Sequence, residues 1–367
     1  ILGFSRDWSN MNGKADMLAR PYNEEECAIL LYICNSLRLP VTISAGKTNL
    51  TGSATPNGGL IISIVNMLSP KTVVDKKNKI ATVAVGSVLE IIRNEILSQS
   101  NRELYYPVDP TSRKEALIGG TISCNASGFI PGDKGATRYW INGINLILTN
   151  GRKISATRGQ YISKNNKFII QSEYDKNVIN VPTYKRPKIK NASGPYTAYK
   201  NDIDFVDLII GSEGCFGIIT EAQLNLKDKP KNYVDLFICL KSESDALKFY
   251  NYICKVNDIN NFTAFEYFGY NSQNYMKHQD YFFQDKDSVG IYLQYPIYDK
   301  NIDSEIEYWS DLINNSPLDI DLNDVISLND TRNWDLFFEA RHSMPTKALE
   351  KTKELDAISI ITDTIVP

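Results

Sequence analysis

The chain has 367 residues, 43% hydrophobic and 23% charged, and its 40 Lys+Arg against 43 Asp+Glu leave a net charge of −3. That balance excludes disorder, collagen and coiled coil, and it offers no bulk field for nucleic acid or an anionic membrane. The length suits two or three domains with cores that need no disulfides, and no apolar run reaches the ~18–20 residues of a membrane span.

The chain opens on Ile1-Leu2-Gly3-Phe4, without an initiator Met or a signal-peptide pattern. The expectation is that it has been trimmed there and that an upstream targeting segment stays open. Asn23 predicts a helix N-cap, with Glu24, Glu25 and Glu26 in a first turn that favours acidic side chains. Cys27, Leu30, Leu31, Cys34 and Leu37 follow at helical spacing, and Pro40 is expected to end the helix. Val41–Ser44 is a short β-branched strand that runs into a small-residue loop, Ala45 to Gly59. Leu60–Ile64 and Ile80–Val85 are buried-strand candidates, and Val88–Leu97 reads as a helix.

A second small-residue region runs from Ile118 to Gly128, and Gly143–Gly151 reads as a strand ending in an Asn-Gly turn. Ser163–Lys200 is rich in Lys and Asn, contains Pro182, Pro187 and Pro195, and reads as a long loop. After the hydrophobic segment Phe205–Ile210 comes a third glycine cluster, Gly211–Thr220, and then a candidate linker, Asp228–Lys231. Beyond it the order is strand (Val234–Leu240), helix (Ser242–Val256), strand (Phe262–Phe268), strand (Val289–Tyr295) and helix (Ser304–Asn314). That order resembles a ferredoxin-like α+β layer.

Candidate chemistry is confined by composition. The two His, His278 and His342, read as surface or partly packed side chains, and the six Cys show no CxxC or haem pattern. Cys27 and Cys34 share one helix side and read as reduced core thiols. Ala45-Gly46-Lys47-Thr48 lacks the first glycine of a phosphate loop, because Val41 stands there. Glycines at 211, 214 and 217 do not make a Rossmann Gly-x-Gly-x-x-Gly. Three small-residue loops beside strands nevertheless suit a large ligand contacted by backbone N–H groups, such as a diphosphate-bearing dinucleotide. Sequons at Asn49, Asn125, Asn191 and Asn261 read as chance, since glycans on the first two would block that site.

The segment from Leu39 to Gly52 resembles the diphosphate-binding stretch of the vanillyl-alcohol-oxidase-type, or PCMH-type, FAD domain. Pro107-Val108-Asp109-Pro110, Ile118-Gly119-Gly120 with Asn125–Gly128, Gly135–Arg138 and Gly211–Glu221 follow in that family's order. The resemblance spans essentially the whole chain and points to the glycolate oxidase, D-lactate dehydrogenase and D-2-hydroxyglutarate dehydrogenase branch. It implies that Ala45, Gly46, Lys47, Thr48, Asn49 and Leu50 cradle the FAD diphosphate. Gly119, Gly120, Ser123, Asn125 and Ala126 would line the flavin and ribityl chain, with Pro107 and Asp109 nearby. Gly214 and Ile219 would close over the cofactor. Many relatives carry a flavin-bonding His in the first loop; Thr48 stands there instead, so FAD is expected to be noncovalent.

Trp334–Pro345 resembles the family segment in which an Arg shortly before a Pro holds the substrate carboxylate by a bidentate pair, and Arg341 matches that Arg. Lys190 is the next candidate for the role. Asp363–Pro367 matches the family's Asp-x-x-Val-Pro, but Ile361 replaces the substrate-contacting Lys of some relatives. In the family the chain continues into His ligands for a divalent metal and a candidate base, so a metal could be held only by residues beyond Pro367.

The resulting expectation is an α+β protein with a two-subdomain PCMH-type FAD-binding domain over 1–228. A ferredoxin-like cap over 229–367 would follow, incomplete at its C-terminus. The implied activity is FAD-dependent oxidation of a small D-2-hydroxy acid with hydride passed to flavin N5. Electrons would go to a quinone, a cytochrome or an electron-transfer flavoprotein. The expected location is cytoplasmic or peripheral to the inner face of a membrane. A non-redox enzyme like alkyl-dihydroxyacetonephosphate synthase and a non-catalytic flavin-binding subunit are the alternatives.

Overall fold

A computed structural model of the chain describes residues 1–171, 176–181, 183–185, 196, 202–299 and 301–358. It divides into two units: the first contains residues 1–128 and 135–228, the second residues 129–134 and 229–357.

In the first unit, Asn23 caps the helix Glu24–Leu37 by accepting from Glu26 N at 2.9 Å, and the helix buries Cys27, Leu31 and Cys34. The helix stops at Leu37, where Arg38 turns into the left-handed region at φ 55° two residues before Pro40, and Leu37 itself is exposed. The chain re-enters as strand Val41–Ser44, parallel to Leu60–Ser63, which pairs in parallel with Met17–Ala19 on its other side. All four residues of the central strand are buried, as expected where both faces are covered.

A five-stranded antiparallel sheet carries the rest, in the order Val73–Asp75, Ile80–Ala84, Gly217–Asn225, Ile141–Leu148, Lys153–Thr157. Its middle strand thus starts at the third glycine cluster. The helices Leu89–Gln99, Ile118–Ser123 and Phe205–Ile209 contribute Leu89, Ile92, Ile96, Ile118, Ile122, Phe205 and Leu208 to one apolar core.

The stretch read as a long loop contains a hairpin, Lys167–Gln171 against Lys176–Asn180. Its alternation was masked by surface Lys and Asn: Phe168 and Ile170 are buried, and Phe168 meets Phe205 edge-on at 5.4 Å. Pro182, Pro187, Lys190, Asn191, Pro195, Ile361 and the Asp363–Pro367 motif lie outside the described residues.

The second unit runs Asn232–Leu240, helix Glu243–Val256, Ala264–Phe268, Val289–Ile297, helix Ile302–Asn314 and Val325–Ser327. The four strands form one antiparallel sheet with Val289–Ile297 and Asn232–Leu240 in the middle. Ser242 and Asn301 cap the two helices, the second of which starts two residues before Ser304. One cluster joins the sheet to Phe249, Ile253, Trp309 and Ile313 of these helices. A second cluster gathers Phe237, Phe268, Tyr292, Phe282 and Phe337. Phe337 belongs to the 24-residue helix Thr331–Glu354, which continues through Pro345.

Candidate functional site

Three loops of the first unit converge on one cleft. Ala45, Gly46, Lys47, Thr48 and Asn49 line it from the loop after Val41–Ser44. Gly119, Gly120, Ser123 and Ala126 line it from the short helix Ile118–Ser123 and its C-terminal turn. Gly214 and Ile219 line it from the turn that enters Gly217–Asn225. Eleven of the fifteen residues expected to contact the cofactor are therefore brought together.

The other four are elsewhere. Leu50 and the buried Pro107 are not in the lining. Asn125, at φ 47° and 1% exposed, accepts from Arg138 N at 2.8 Å and ties the second loop to the helix Thr137–Trp140. Asp109 is held by Arg93 at 2.7 Å and by Arg113 at 2.6 Å, and Arg113 also reaches Glu90 at 3.0 Å. That network fastens the 107–113 segment to helix Leu89–Gln99.

Ser53, Ala54, Ser112, Thr121, Cys124 and Glu213 also line the cleft and were not singled out from sequence. Thr121 and Cys124 lie inside the second glycine motif, so their spacing from Gly120 was the available signal; Ser112 had none. Burial, with Glu213 nearby, pushes the Cys124 thiol up to about 11, so it is protonated at neutral pH and a poor nucleophile.

The glycines serve different ends. A Cβ on Gly46 would stand 2.4 Å from Glu115 O, so this glycine lets two backbone segments of the protein touch. A Cβ on Gly120 would meet only the Ala45 Cβ, at 2.9 Å, across the cleft wall. Gly120 thus lets the Ala45 methyl come close where two lining loops meet. The Lys47 ammonium donates to Gly3 O and lies 4.5 Å from the Phe4 ring centroid. Backbone and small side chains dominate the wall, which fits FAD, and no His lines it.

Arg341 is in the second unit, on helix Thr331–Glu354. Its guanidinium is 12% exposed, lies 3.7 Å above the Phe129 ring and holds Glu266 through two bonds of 2.8 and 2.7 Å. Its Nη1 is buried and has no hydrogen-bond partner. The fork expected to take a substrate carboxylate is thus engaged with an internal one. His278 pairs with Glu339 at 2.9 Å, and His342 stacks on Phe338 at 3.7 Å. Among the described residues no three His, Cys, Asp or Glu gather into a metal set, and no helix is long and apolar enough to cross a membrane.

Comparison with known proteins agrees with the cleft. Residues 15–157 match the family model described as an FAD binding domain. The glycolate oxidase subunit GlcD of Bacillus subtilis is 29% identical over 217 residues, 59% of this chain and 38% of that one. A D-lactate dehydrogenase of Anaerostipes hadrus is 27% identical over 248 residues, 66% and 43% of the two chains. A D-2-hydroxyglutarate dehydrogenase of Xanthomonas citri pv. viticola is 30% identical over 229 residues, 62% and 40%. The matched segment thus spans well under half the length of these relatives. Among solved structures, an alkyldihydroxyacetonephosphate synthase superimposes with TM-score 0.63 at 16% identity, over 89% of this chain and 56% of that one; the likeness is one of fold. Residues 15–157 are thus similar to an FAD binding domain, and the relatives that share similarity with this chain are named as a glycolate oxidase subunit, a D-lactate dehydrogenase and a D-2-hydroxyglutarate dehydrogenase.

Proposed function

We propose that the protein is an FAD-dependent oxidoreductase of a small D-2-hydroxy acid such as D-lactate, glycolate or D-2-hydroxyglutarate. The convergence of the three small-residue loops on one cleft carries this reading, and the three dehydrogenase-type relatives supply the substrate class. Bound FAD supplies the two-electron redox chemistry. The chain's own part is binding and orientation. The Ala45–Asn49 loop would hold the diphosphate, and Gly119, Gly120, Ser123 and Ala126 would bed the flavin half. Gly214 and Ile219 form the facing wall.

Arg341 is assigned to the substrate carboxylate. Its stacking on Phe129 and its pairing with Glu266 fix the guanidinium plane, and the buried Nη1 edge is the donor left for a second carboxylate. Burial of that charge-assisted contact would make it strong and geometrically selective.

Anaerobic addition of each acid to the yellow protein tests the reading. At least one should bleach the flavin band near ~450 nm, the absorbance of an oxidised flavin. A flavin left oxidised by all three would favour the non-redox chemistry of an alkyldihydroxyacetonephosphate-synthase-like enzyme or a binding subunit.

A further inference from the structure

Residues 1–14 precede the matched domain, yet they are fastened to the cleft's first loop at several points. Among residues 1–16 only Asp7 and Ser9 are buried, and both are polar. Asp7 Oδ1 accepts from Ser9 N at 3.0 Å and from Ser9 Oγ, within the segment itself. Asp7 Oδ2 reaches across to the loop, accepting from Asn49 Nδ2 at 2.6 Å and from Ala54 N at 3.2 Å. Asn49 and Ala54 both line the cleft.

Further bonds run alongside. Trp8 N donates to Lys47 O at 3.2 Å, Lys14 N to Pro56 O at 3.0 Å, and Gly59 N to Asp16 Oδ2 at 2.8 Å. Lys47 reaches Gly3 O, and Phe4 lies between Lys47 and Arg20 at 4.5 and 5.2 Å. The loop from Ala45 to Gly59 contains no helix or strand of its own, so its shape is set by what grips it.

We propose that residues 3–16 form a strap that holds the diphosphate loop in its ligand-ready shape, with Asp7 as the positioning residue. The inference rests on the reading of the cleft as the FAD site. A carboxylate is suited to this work because it accepts on both sides at once and its bonds are about twice as strong as neutral ones. With the loop ordered beforehand, FAD binding does not bear the entropy of ordering it. No residue of the strap lines the cleft; it acts through Asn49 and Ala54.

The two oxygens give the test its contrast. Asp7→Asn replaces one acceptor oxygen with a donor facing Asn49 Nδ2 or Ser9, whereas Ser9→Ala removes a hydroxyl bond internal to the strap. FAD titrated into apo-protein, followed by flavin fluorescence, should give a Kd at least tenfold weaker for Asp7→Asn and within threefold of the parent for Ser9→Ala. Apo-protein melting points measured in parallel separate this from simple anchoring of the N-terminus. Anchoring alone lowers both melting points and leaves both Kd values alike. Should Asp7→Asn not fold, Asp7→Glu keeps the charge but displaces its oxygens by one methylene, and it carries the same expectation. Equal Kd values for parent and Asp7 variants, or a Ser9→Ala loss as large as that of Asp7→Asn, overturn the strap alone. A parent chain that takes up no FAD overturns both the strap and the cleft assignment.

Discussion

Replacing Asp235 by Asn should stabilise the second unit at alkaline pH and do nothing at acid pH. Asp235 lies on strand Asn232–Leu240, 6% exposed, opposite Gln294, whose amide donates to it at 2.7 Å. Burial pushes its carboxyl up to about 7, against the opposing pull of Gln294 and the neighbouring Tyr292 hydroxyl. The unfolded chain ionises near its ordinary value of 3.8. Below about pH 4 both states are protonated and there is no penalty. Between about pH 4 and 7 the unfolded state alone loses its proton, so stability falls as pH rises, and above 7 the full penalty remains. Roughly three units at 1.36 kcal/mol each set an upper bound of about 4 kcal/mol. Asn keeps the size and an oxygen for the Gln294 amide, so most of that penalty should vanish. Urea unfolding followed by tryptophan fluorescence at pH 4 and pH 8 measures it, with Trp309 and Trp334 reporting on this unit. The variant's gain should appear at pH 8 and disappear at pH 4. A variant less stable than the parent at pH 8, or a gain of the same size at both pH values, would refute the reasoning.

Gly120→Val should collide with the Ala45 methyl, push the two lining loops apart and cost most of the bound FAD; the absorbance ratio of flavin to protein in purified material reads it, with the apo melting point changed by only a few degrees. Arg341→Ala should leave FAD content intact and lower kcat/KM on the preferred hydroxy acid by roughly 30-fold to several thousand-fold, from ~2–5 kcal/mol for a lost buried charged partner. Arg341→Lys should recover part of it, since an ammonium cannot reproduce the planar fork; unchanged steady-state kinetics would move the assignment to Lys190. Acid or heat should release FAD from the polypeptide, because Thr48 offers no attachment point, and flavin that stays with denatured chain would contradict this.

What could be read from the residues alone was whatever depends on near neighbours. The Asn23 cap and the strand Val41–Ser44 are local patterns, and the structure has them where the spacing predicts. The lining contributed by Ala45–Asn49, Gly119, Gly120, Ser123 and Ala126 was legible through the resemblance of these contiguous stretches to the FAD-domain motifs. The hairpin at 167–180 was hidden because two buried side chains, Phe168 and Ile170, sit among surface Lys and Asn. The ion pair of Asp109 with Arg93, 16 positions away, is announced by nothing in its own segment. The Asp7 contacts span 42 and 47 positions and leave no periodic trace at all. Likewise, the Glu266 partner of Arg341 is 75 positions distant, so the engagement of its fork was invisible from the Arg-to-Pro motif.

The proline inside helix Thr331–Glu354 has a consequence for the arginine one turn before it. Pro345 has no N–H, and the donor it lacks is the one that would have served the carbonyl of Arg341, four residues earlier. An interior proline costs a helix about 3 kcal/mol relative to alanine. The chain accepts that loss at the turn that carries its candidate carboxylate-binding side chain. The carbonyl of Arg341 therefore loses the helical donor that an ordinary residue at 345 would have supplied, and it must look to another donor or to water.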